Sequence, residues 1–177
     1  MATTLGATSS ETAFQSGDFF DELLTGTAEA LPEDEDDEVE RFRERLQTDG
    51  IHVLDGDSVE IAGVRFVGGA LWTDYAVAGD PDRAMRAARS GMNDFRYLRS
   101  GTGSGVRPRA TPRDLLAIHV RHREAIRSTL ATPFAGPTVV VTHHAPSPRS
   151  LREGRVREPL DAAYASDLED LIREGRP

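Results

Sequence analysis

Thr138-Val-Val-Val-Thr-His-His-Ala-Pro146 is the stretch from which the rest of the chain is best understood. Four β-branched residues run without a break into Thr142 and two adjacent histidines, and a proline comes soon after. The run reads as a buried strand. Pro146 has no N–H with which to continue a ladder, so the chain turns there. The strand therefore delivers an imidazole to the rim of a sheet, a place suited to a metal ligand or a catalytic base. The plainer alternative for His143 is a histidine satisfied at a strand end, and local pattern alone favours that alternative.

Upstream, His52-Val-Leu and Val59-Glu-Ile surround Asp55-Gly-Asp-Ser58, a hairpin signal. Ala62-Gly63 separates a further strand, Val64-Arg-Phe-Val67, so the spacing predicts a three-stranded meander. Two helices are then announced by their starts. Asp80-Pro81 pairs an N-cap with proline at the first helical position, and Gly91 can close that helix. Thr111-Pro112-Arg-Asp114 repeats the device, and Leu115, Ile118, His122, Ile126 and Leu130 mark one face of the second helix. Ser166 and Glu169 form a capping-box pattern before a last helix. Mixed α and β elements of this length predict an α/β domain with helices packed on sheet faces.

Residues 1–47 differ in texture. Ser and Thr dominate the beginning, and Pro32-Glu-Asp-Glu-Asp-Asp-Glu38 is an acidic run. We read 1–47 as an acidic, largely disordered N-terminal segment with a short helix near residues 39–46. The chain has 177 residues, enough for a core, with a formal net charge of -9. Every Lys or Arg position is Arg, and there is no cysteine. Thiolate metal sites, disulfides and cysteine nucleophiles are excluded. Acidity disfavours nucleic acid and anionic membrane partners. No stretch is apolar enough to span a bilayer and no signal core begins the chain, so a cytoplasmic protein is expected.

The strand with its two histidines resembles the penultimate metal-binding motif of calcineurin-like metallophosphoesterases. Val59-Glu-Ile-Ala-Gly-Val-Arg-Phe66, Gly69-Ala-Leu-Trp-Thr-Asp74, Gly91-Met-Asn-Asp-Phe95 and Pro159-Leu-Asp-Ala-Ala-Tyr-Ala-Ser-Asp-Leu168 extend the likeness in order along residues 48–177. Members of that family are sandwiches of two β-sheets flanked by helices, with two divalent ions at the loop ends of the strands. The resemblance implies an incomplete metallophosphoesterase-type β-sandwich flanked by helices, with 48–177 as a partial domain. It implies hydrolysis of phosphate mono- or diesters, with divalent metal ions (Mn, Fe, Zn or Mg) as cofactors.

By the same resemblance His143 is a metal ligand, and His144 is a neighbour that packs or serves catalysis by contacting phosphate. Gly17-Asp-Phe-Phe-Asp21 matches a second ligand motif in letters, which makes Asp18 and Asp21 further candidate ligands. Asn93 could orient substrate or simply form a turn. Arg149, with Arg152, Arg155 and Arg157, could bind phosphate or form a solvated loop. His119 and His122, three apart on a helix, read as ordinary helix residues. The family's Asp-x-His, Gly-Asn-His and Gly-His-x-His motifs are not in the sequence. The expected result is a chain that is inactive alone. Two alternatives stand beside this: a non-catalytic binding module, or one half of a split enzyme completed by a protein partner.

Overall fold

The computed structural model describes residues 50–100 and 106–175, together with Arg43, Glu44 and Leu46. By contacts the chain divides into two units, Met1–Leu31 and Pro32–Pro177, and all described residues belong to the second. Arg43, Glu44 and Leu46 are helical, and the remainder of 1–47 lies outside the described residues.

Strand β1 (Asp57–Ile61) and strand β2 (Val64–Gly69) form an antiparallel hairpin in which Ile61 faces Val64. The two-residue turn is Ala62-Gly63, with φ of 50° and 77°. Positive φ at both central positions matches the twist of flanking strands. The hairpin signal at Asp55-Gly56 is thus a misreading. Residues 51–54 form no strand, so the meander reduces to one hairpin. Gly56 instead lets the chain pass close to a helix: a Cβ there would lie 2.9 Å from the His122 ring.

Strand β3 (Thr138–Thr142) pairs in parallel with β2, giving the order β1-β2-β3. A parallel pair needs a long crossover, and the helices supply it. Among the described residues β2 is therefore the central strand and β3 lies at the edge, and the expected burial of β3 is only partial. Val140 packs on the core with Val67, while Val139 and Val141 are 40% and 47% exposed. A run of β-branched residues suits a strand covered on one face as well as one covered on both.

Helix α1 (Pro81–Gly91) begins as predicted, with the Asp80 carboxylate accepting from the Arg83 N–H. A single turn, α2 (Asp94–Tyr97), buries Phe95. Helix α3 (Pro112–Ala131) carries a full capping box, Thr111 and Asp114 each satisfying the other's backbone N–H. Its face of Leu115, His119, His122 and Ile126 is buried. It touches β1 and β2 and links two apolar clusters. One gathers Tyr75, Ala84, Ala88, Phe95 and Leu115, the other Val67, Leu71, Ile126 and Leu168. Helix α4 (Glu169–Gly175) adds Leu171 and Ile172 to the second cluster. Its first N–H is capped by Asp167, not Ser166, whose hydroxyl accepts from the Asp74 N–H. No helix among the described residues is long and apolar enough to cross a membrane.

The result is mixed α/β, with a small three-stranded sheet and four α-helices among the described residues.

Candidate functional site

The parallel strands β2 and β3 end side by side, with Gly69 opposite Thr142. Beyond them the ladder frays onward: the His144 N–H donates to Ala70 O at 3.1 Å, and His143 N lies 3.4 Å from Gly69 O. Crevices at the carboxyl ends of parallel strands are where open α/β sheets bind ligands. Two clefts meet here at His143. One, of 300 Å³, runs along His52, Leu54 and Gly69. The other, of 430 Å³, includes Asp94, His144, Ser150 and Tyr164.

The chain leaves β2 in an unusual conformation. Leu71, Trp72 and Tyr75 have φ of 66°, 50° and 59°. A left-handed residue with a side chain costs on the order of 1–3 kcal/mol and persists only where its surroundings over-determine it. Here three histidines supply the constraint. The Leu71 N–H donates to His122 Nδ1 at 3.1 Å. That nitrogen is therefore the unprotonated one, and the proton resides on Nε2, which lies 3.0 Å from Asp55 Oδ1. The approach is close but bent, so Nε2 lacks a well-directed acceptor. The interaction with His122 holds the Asp55 carboxyl below the ordinary carboxylate range, against the opposing effect of partial burial.

His119 grips the same residue from its other end. Its Nδ1 lies 3.2 Å from Leu71 O and 3.4 Å from Trp72 O, so Nδ1 carries the proton. Its Nε2 is buried without a partner. Burial lowers the His119 pKa, and the nearby Asp74 charge works the other way. A neutral ring suits a site where an imidazolium would lack solvation.

His144 completes the clamp. Its Nδ1–H donates to Ala70 O at 3.0 Å, and its ring lies 4.6 Å from that of Trp72. Burial lowers its pKa as well, the Ala70 carbonyl opposing. His143 meets His144 edge-on at 5.0 Å but is itself exposed. It is thus the member of the pair whose ring nitrogens are open to a ligand, and it makes no side-chain hydrogen bond among the described residues. Beside the cleft, burial and the Asp94 charge push the Tyr75 phenol up to about 12, so it stays protonated at neutral pH.

The other residues singled out by sequence fall in different places. Asn93 is exposed at the start of α2 and makes no side-chain cap bond; its neighbours Met92 and Asp94 line the cleft. Arg149 is 80% exposed and pairs with Glu169 at 3.1 Å. Arg155 and Arg157 both pair with Glu153. Asp18 and Asp21 lie outside the described residues. Among the described residues no three His, Asp or Glu side chains converge as a metal site. The Nδ1–H bonds of His144 and His119 to backbone carbonyls leave each Nε2 unprotonated, but without a third converging ligand these described residues by themselves do not hold a divalent ion.

The helical histidines do more than their sequence pattern suggests. They share a face with Leu115 and Ile126, and a polar group on a buried face must find a partner. The two glycines Gly56 and Gly69 are the complementary signal, since both press against the His122 ring.

The chain matches no family model, no curated protein and no solved structure.

Proposed function

We propose that this protein is a metallophosphoesterase-like chain that binds phosphate esters weakly and does not hydrolyse them alone. His143 is the observation that carries the reading: an exposed imidazole at the carboxyl end of a parallel strand pair, on a cleft that also holds Asp94. The ordered motif series along residues 48–177 supports the same ancestry. His144 takes a positioning role in this reading, tying the end of β3 to Ala70 and orienting the His143 backbone. Any divalent ion (Mn, Fe, Zn or Mg) would need ligands beyond His143. Asp18, Asp21 or a protein partner would have to furnish them, so no catalytic step can be built from the described residues.

The test is hydrolysis of an aryl phosphate diester with added Mn²⁺ by the full chain and by His143→Ala. The two proteins should give equal, background rates. Two-metal hydrolysis requires ions held about 3.5–4 Å apart by several protein groups. Mn²⁺-dependent turnover that vanishes in His143→Ala would contradict the inactive reading, and Asp18→Ala would then show whether that carboxylate completes the site.

A further inference from the structure

A groove of 610 Å³ runs between α1 and the start of α3. It shares no lining residue with the clefts at His143. Three guanidinium groups border it: Arg86 and Arg89 from one face of α1, and Arg113 from α3. Met85 and Pro112 add apolar surface, and Asp82 is the one carboxylate among the lining residues.

The polar groups of this groove divide into those already engaged and those left over. The Ser90 hydroxyl donates to Arg86 O at 2.6 Å. The Thr111 hydroxyl donates to Asp114 Oδ2 at 2.7 Å, and the capping box closes the start of α3. The helix terminus is thus self-satisfied and adds nothing to the site. Arg89 Nη1 donates to Ala110 O at 2.9 Å, which fixes that guanidinium while leaving its other N–H groups available. Arg86 and Arg113 make no ion pair among the described residues. Some surface arginines are matched, Arg121 with Asp55, Arg127 with Glu124, Arg149 with Glu169 and Arg173 with Asp170; what sets Arg86 and Arg113 apart is that they border one concavity together with Arg89. In a chain of net charge -9, three guanidiniums around one concavity against a single lining carboxylate, Asp82, give it a net positive lining.

We infer that this groove binds a small multivalent oxyanion, of the kind presented by an organic phosphate or a polycarboxylate. Guanidinium forks pair with such oxygens bidentately, and a groove of this volume holds a small organic molecule. Met85 and Pro112 would contact the body of the ligand while the arginines take its charge.

Isothermal titration of the full chain with pyrophosphate and with citrate, without metal, tests this. Saturable one-to-one binding is expected. It should weaken as salt rises. Arg86→Gln combined with Arg113→Gln should weaken it at least tenfold without changing the unliganded melting temperature. His143→Ala should bind as the parent does. The tighter of the two probes identifies the ligand as phosphate or carboxylate. Absence of saturable binding to either probe would overturn the inference. So would binding that survives the double substitution, or binding lost in His143→Ala, which would assign the anion to the strand-end cleft.

Discussion

His122→Ala should destabilise the protein by about 3–5 kcal/mol, the range of losses when a buried ring is cut back to a methyl group. His122 is fully buried. Its ring is packed by Gly56 and Gly69, both of which approach too closely to tolerate a side chain. The substitution leaves a cavity and also strips the buried Leu71 N–H of its acceptor, a loss of about 1–3 kcal/mol on its own. Leu71 is left-handed, so the strain that His122 helps to hold would no longer be opposed. Urea denaturation reads the difference. His122→Asn, whose amide oxygen can replace Nδ1 as acceptor, should recover part of the loss. A cost below about 1 kcal/mol for His122→Ala would mean that the turn after β2 is held by other groups.

Gly68→Ala should be comparably severe, about 3 kcal/mol or more, for a steric reason. A Cβ on Gly68 would stand 1.7 Å from the Val141 carbonyl oxygen, inside the β2–β3 pairing. No rotamer relieves a backbone clash, so the strands must part or the sheet must distort, at the upper end of overpacking costs. Gly79 is the control. It has φ of 79° but open space around it, so Gly79→Ala should cost only about 1 kcal/mol, the left-handed penalty. Equal denaturation midpoints for the two variants would show that β2 and β3 do not approach as described.

How much of this fold is legible in the sequence depends on the range of the interactions involved. The starts of α1 and α3 are legible because Asp80-Pro81 and the Thr111–Asp114 box act within one helical turn. His143 is legible because a strand and a proline bracket it. The hairpin is misassigned because Asp55-Gly56 carries a turn signature but serves a contact with α3, 66 residues on, through the Asp55–Arg121 pair. The edge position of β3 is hidden because β-branched residues suit either kind of strand. The roles of His119 and His122 are invisible because their partners, Leu71 and Trp72, lie 47 to 51 residues away and are met through backbone atoms. Side-chain identity at positions 71 and 72 carries no trace of such bonds. Ser166 is drawn from its capping pattern by the still more remote Asp74 N–H, 92 residues away.

Of His119, His122, His143 and His144, three hold backbone through a ring nitrogen, and His143 makes no side-chain hydrogen bond among the described residues. Long-range proton–nitrogen correlation spectra of the histidine rings, recorded on the full chain across a pH titration, test this division most directly. His119 and His144 should carry their proton on Nδ1, and His122 on Nε2. His119 and His144 should also titrate below free histidine, whose pKa is about 6.5. His143 should show no fixed tautomer. An Nε2–H form of His119 or His144, an Nδ1–H form of His122, or a charged His144 at neutral pH would contradict the account.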